Sequence, residues 1–171
     1  MDGSITDWNK FERLTPYRIR EVLLVASQFD RYILEESGYL AEILQEEYSV
    51  LNLSQAPRII HSPDADDAMQ LMSTRKFDLV ITMSKVGTMD VYAFARLVKG
   101  IEEDIPVVML SQNNRELATL KTGEGIDRIF VWGGDSRILL SICKLIEDEK
   151  NVENDVRDGD VQVILLVEDS R

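Results

Sequence analysis

The chain has 171 residues, of which 44% are hydrophobic and 29% charged, enough for one well-cored domain with a tail but too few for two domains of ordinary size. With 31 acidic against 19 basic side chains the net charge is −12, a surface that repels phosphate backbones and argues against nucleic-acid binding. One cysteine, Cys143, and one histidine, His61, leave no intramolecular disulfide and no zinc cluster.

Residues 1–19 read as an N-terminal extension. Met1-Asp2-Gly3-Ser4 lacks the basic start and apolar core of a signal peptide. Trp8, Phe11 and Tyr17 are apolar enough to pack on the main domain, with a short helix ending before Pro16. The run Val22-Leu23-Leu24-Val25-Ala26 is continuous and branched, as a strand buried on both faces should be. A helix is expected over about 30–47, with Ile33, Leu40 and Leu44 on its inner side.

Arg58-Ile59-Ile60-His61 forms a second, shorter strand, and Ser62-Pro63 offers an N-cap and first-turn proline. Ala65, Ala68, Met69 and Met72 then recur at helical spacing. A third strand over 79–83 ends in Met83, and Val91, Phe94, Ala95 and Val98 repeat the helical period. Val107-Val108-Met109-Leu110 is the fourth strand, and Asn113 with Asn114 opens a weaker helix. Ile129-Phe130-Val131 is the fifth, and a cap at Asp135-Ser136 precedes Leu139, Ile142, Cys143 and Ile146. No apolar run exceeds strand length, so no membrane span is expected and the reading is cytoplasmic.

Strands alternating with helices imply an α/β, doubly wound, five-stranded parallel sheet covered on both faces. In such sheets sites lie at the carboxyl ends of the strands. That selects Ala26-Ser27, Met83-Ser84, Ser111 and Trp132.

Three stretches in the right order carry a resemblance. They are Phe77-Asp78-Leu79-Val80-Ile81-Thr82-Met83 with its loop to Met89-Asp90, Ile105-Pro106 through Ser111, and Gly125-Ile126-Asp127 through Val131. Together they resemble the receiver domains of two-component response regulators over residues 20–150. The resemblance implies a flavodoxin-like strand order of 2-1-3-4-5. It also implies three carboxylates around one magnesium and a lysine that neutralises the phosphoryl group. Here the acid pair falls on Ala26 and Ser27, the phosphoryl acceptor on Met83 and the lysine on Trp132; only the hydroxyl, Ser111, is kept. The aromatic switch position falls on Ile129, beside Phe130. A thioether cannot form an acyl phosphate and is a poor ligand for magnesium. The expectation is therefore a degenerate receiver with no catalytic residue, no metal and no cofactor.

Neighbouring residues have plainer explanations. Asp30 reads as a cap or first-turn acid of the first helix, Lys85 as a solvent-exposed lysine and His61 as a surface or half-buried histidine. Gly133-Gly134-Asp135-Ser136 reads as a turn with an N-cap, and Trp132 either fills the vacated pocket or faces a partner.

Residues 147–160 hold seven acids against Lys150 and Arg157, and 151–160 is expected as an acidic linker. It leads to Val161-Gln162-Val163-Ile164-Leu165-Leu166-Val167-Glu168-Asp169, which resembles the first strand of another receiver with its acid pair, Glu168 and Asp169, intact. Residues 161–171 are thus expected to open a second, truncated receiver in a longer protein, and to pair as a strand with a neighbouring edge. By resemblance the chain works through protein–protein contact, with other domains of the same signalling protein, a separate partner or a homodimer, over residues 113–150. The alternative is a doubly wound small-molecule or nucleotide-binding domain or enzyme, for which no G-x-G-x-x-G or phosphate-loop run is present.

Overall fold

The structure, a computed structural model, describes residues 16–36, 45, 48, 56–112, 114–117 and 119–159. The expectations for Trp8, Phe11, Leu40, Leu44, Asn113 and residues 160–171, including Glu168 and Asp169, lie outside the described residues. The chain divides into two compact units, Ile19–Cys143 and Met1–Arg18 with Lys144–Arg171.

The larger unit is built on five parallel strands: β1 Glu21–Val25, β2 Arg58–Ser62, β3 Leu79–Met83, β4 Val107–Ser111 and β5 Arg128–Val131. Their order is β2-β1-β3-β4-β5, as expected. Between them run α1 Gln28–Glu36, α2 Ala65–Thr74, α3 Val91–Ile101 and α4 Asn114–Leu117, and α5 Ile138–Gly159 follows β5. Every residue of β3 and β4 is buried, which is why these stretches are apolar apart from Thr82 and Ser111 instead of alternating. One face of the sheet, with Leu23, Val25, Val80, Val107 and Met109, packs with Ala68 and Met72 of α2 and with Phe94 and Val98 of α3. Residues pointing the other way, such as Leu24, Ile81, Val108 and Leu110, are equally buried, so both faces are covered.

Carboxylates close the amino-terminal edge of the sheet. Asp78 Oδ2 accepts the backbone N–H groups of Arg20 and Glu21 at 2.8 and 2.9 Å. Asp127 Oδ2 accepts from Val107 N–H at 2.7 Å and pairs with Lys99 at 2.8 Å.

The helices differ in detail from the pattern reading. Ile33 is half-buried and the fully buried residue of α1 is its neighbour Leu34. The N-cap of α2 is Asp64, whose carboxylate accepts Asp67 N–H at 2.9 Å, while Ser62 ends β2 and donates to the Asp64 carbonyl. A carboxylate meets the free amides and positive end of a helix better than a hydroxyl does.

The second correction concerns the linker. Residues 151–159 continue α5, because no glycine or proline interrupts the run after Gly134 until Gly159. In the smaller unit Asn151, fully buried, accepts Tyr17 N–H at 2.8 Å. Its amide donates to the carbonyls of Tyr17 at 2.8 Å and Glu147 at 2.7 Å. The expected boundaries at residues 20 and 150 fall at Ile19 and Cys143 when the units are divided by compactness.

Candidate functional site

Parallel register brings the carboxyl ends of the strands to one edge. Val25 pairs with Thr82 and Met83 with Leu110, while Ser111 pairs with Val131. Ala26 therefore stands beside Met83 one step past β1, and Trp132 follows β5, its N–H donating to the Ser111 carbonyl at 2.8 Å. Ala26, Met83, Ser111 and Trp132 are brought together at this edge, and all are nearly inaccessible to solvent.

Met83 is 3% exposed and belongs to the core. Trp132 is also 3% exposed, so its ring lies inside the unit and is not presented on the surface; its Nε1–H has no hydrogen-bond partner among the described residues. Lys85 is exposed. Ile129 and Phe130, the two registers for the aromatic switch, are both half-buried.

Ser27 is exposed and serves the helix. Its Oγ accepts Asp30 N–H at 3.1 Å and donates to Asp30 Oδ2 at 2.7 Å, and its carbonyl accepts Arg31 N–H at 2.9 Å. Asp30 is thus the first-turn acid expected of it, and its other oxygen accepts from Gln112 Nε2 at 2.6 Å. His61 is half-buried, its Nε2 2.7 Å from the Ala26 carbonyl. Gln112 and the His61 contact escaped sequence reasoning. The only available signal was position: Gln112 is next to Ser111, and β2 lies beside β1.

Gly134 takes φ +94°, a conformation that glycine adopts freely, and opens the turn into α5. There the Arg137 guanidinium, then its backbone N–H, donate to the Asp135 carboxylate and hold its pKa below the ordinary value. On the same edge a cleft of about 300 Å³ lies between the start of α2 and the β3–α3 loop, lined by Asp64, Ala65, Asp66, Val86, Gly87, Thr88 and Met89.

The fold has solved counterparts. The chain superposes on the chemotaxis response regulator CheY4 of Vibrio cholerae with a TM-score of 0.57 at 17% identity, over 75% of this chain and 98% of that one. The response regulator TrrA of Thermotoga maritima, solved with magnesium and beryllium fluoride, gives 0.56 at 18% identity over 75% and 99%. NtrX of Brucella abortus gives 0.60 at 18% identity over 84% of this chain and 30% of that one. This is the fold of a response regulator receiver domain. At such identities the likeness is one of fold and leaves function to the site. No protein-family profile matches the chain, and no curated protein matches it in sequence.

The receiver fold implies a magnesium site at this edge, and the donors here do not suit one. A methyl, a hydroxyl and a thioether replace the carboxylates that a hard cation needs. Asp30, the nearest acid in sequence, already accepts from Ser27 and Gln112. Among the described residues no group of three or more His, Cys, Asp and Glu side chains could hold a metal, and no helix is long and apolar enough to cross a membrane.

Proposed function

We propose that the unit Ile19–Cys143 is a phosphorylation-incompetent receiver-like module of a two-component signalling protein that acts by protein–protein contact. The observation that carries this reading is Met83, 3% exposed at the end of β3, where a receiver presents its phosphoryl acceptor. Ala26 and Ser27 in place of the acid pair, and buried Trp132 in place of the lysine, support it independently. Each removes a different contribution, namely metal binding, covalent chemistry or charge neutralisation.

With no chemistry at the strand ends, the surface is what remains to carry a signal. Arg115 of α4 and Arg128 and Val131 of β5 are exposed, against the acidic balance of the whole chain, while Arg137 at the start of α5 is paired with Asp135. A partner there carries carboxylates around an apolar centre, and other domains of the same protein, a separate protein or a second copy all fit that description. Residues 161–169 are read as the first strand of a further receiver, whose acids Glu168 and Asp169 would bind the metal that this unit lacks. The cytoplasmic reading follows from the signalling role.

The test is incubation of the full chain with acetyl phosphate, or beryllium fluoride, and magnesium. No acid-labile mass increase and no NMR shifts around Met83 are expected. A stoichiometric adduct on residues 19–143 overturns the proposal.

A further inference from the structure

Asp30 does more than support the first turn of α1. Its Oδ2 accepts from Ser27 Oγ at 2.7 Å, which fixes the carboxylate against its own helix start. Its Oδ1 accepts from Gln112 Nε2 at 2.6 Å, across 82 residues of sequence. Ser27 lies just beyond β1 and Gln112 just beyond β4, and the strand between them in the sheet is β3. The bridge therefore joins the two loops that flank the end of β3, where Met83 sits. Ionic hydrogen bonds are shorter and stronger than neutral ones, and both of these accept on a carboxylate.

We infer that the Ser27–Asp30–Gln112 bridge is a built-in latch, which ties the exit of β1 to the exit of β4 and holds both loops in one arrangement. The inference rests on the reading of Met83 as a vacated acceptor position. Protein groups alone join these two loops here. The latch also fixes where α4 begins, since Asn114 follows Gln112 by two residues. The conformation of the proposed partner-facing segment is thereby coupled to the first turn of α1.

Gln112 is exposed and Asp30 half-buried, so water competes for the bridge and it adds little to global stability. Its effect is on local opening, which is governed by the few contacts that each loop makes. A partner that offers a cation or amide to Asp30 would release Gln112 and free the start of α4.

Amide hydrogen exchange on the full chain tests this. Gln112→Leu removes the donor, and Gln112→Glu sets a second carboxylate against Asp30. In both variants the amides of Asp30 and Arg31, which donate to the hydroxyl and carbonyl of Ser27, should exchange about threefold to tenfold faster, with the strands unchanged. Combining Asp30→Ala with Gln112→Leu should open the loops no further than Asp30→Ala alone, since that change already removes the acceptor of Gln112. Unaltered exchange at Asp30 and Arg31 in both Gln112 variants, or strictly additive effects in the double variant, overturns the latch. Acetyl phosphate labelling is read separately: an adduct defeats the inert-pocket reading whatever the exchange shows, and altered or unaltered exchange speaks to the latch alone.

Discussion

Restoring the missing acid by Met83→Asp should damage the protein without reviving it. Met83 is 3% exposed, so the substitution first removes a packed apolar side chain from a closed site, a loss of about 2–5 kcal/mol. It then places a carboxylate where no cation is available: Ala26 and Trp132 bring none, and Lys85 is on the surface. Burial of that kind raises a carboxyl pKa by about 2–3 units, and at about 1.36 kcal/mol per unit this adds about 3–4 kcal/mol at neutral pH. The sum of about 5–9 kcal/mol is comparable with the whole stability of an ordinary domain, about 5–15 kcal/mol.

The sign of the pH dependence follows from the raised pKa. Below the unfolded aspartate value of about 3.9 both states are protonated and the charge contribution vanishes. As pH rises from there to the folded pKa the deficit grows, and above it the deficit is constant. Urea unfolding of Met83→Asp and the wild type, compared at each pH, should therefore show a difference that widens from about pH 4 upward. Met83→Leu, similar in volume and apolar, should lose less than about 1.5 kcal/mol. A loss below about 1 kcal/mol for Met83→Asp, independent of pH, would mean that the end of β3 admits water and counter-charge, and the burial argument would fail.

Three further outcomes are expected. Gly125→Ala should destabilise the larger unit by at least about 1–3 kcal/mol, because φ is +97° and a Cβ would sit 2.7 Å from the Ala95 carbonyl carbon; an unchanged urea midpoint would show that the turn shifts freely. Arg137→Ala should raise the NMR titration midpoint of Asp135 toward its ordinary value. The carboxyl pKa is depressed in the fold, so the stabilising contribution is present above the unfolded value and lost as pH falls through the folded one, and an unmoved midpoint refutes the pairing. Asn151→Leu should cost about 1–3 kcal/mol by removing the side-chain hydrogen bonds to the Tyr17 N–H and carbonyl, and should speed exchange at Tyr17; no change there would refute the anchoring role.

The sheet was legible because buried parallel strands are apolar along almost their whole length, and β3 and β4 bury every residue. Periodicity found α2, α3 and α5 because the buried sides of these helices, such as Val91, Phe94, Ala95 and Val98, are apolar at helical spacing. In α1 apolar character does not track burial, because apolar residues surround that helix. Phe29 and Tyr32 are 70% and 62% exposed, while Leu34 is fully buried. The acidic stretch, expected as a helix end and linker, is helical to Gly159, since charge density does not break a helix and no breaker precedes that glycine. At the site, strand ends can be read one by one, so Ala26, Met83, Ser111 and Trp132 were all selected. A hydrogen bond between residues 30 and 112 leaves no trace in any local pattern, and the His61 contact with Ala26 exists only once β2 lies beside β1.

The two edges of the sheet show why the fold does not depend on an acid pair. At the amino-terminal edge, Asp78 and Asp127 are bound to backbone N–H groups of the strands, where a carboxylate stabilises the start of a strand directly. At the carboxyl-terminal edge a cluster of carboxylates would repel one another unless a cation joined them, so it opposes folding in the ion's absence. Replacing that cluster by Ala26 and Met83 removes the repulsion and extends the apolar core to the end of β3. On our reading the lost chemistry is therefore not a defect tolerated by the fold. Uncharged Ala26 and Met83 leave the sheet complete without an ion at this edge.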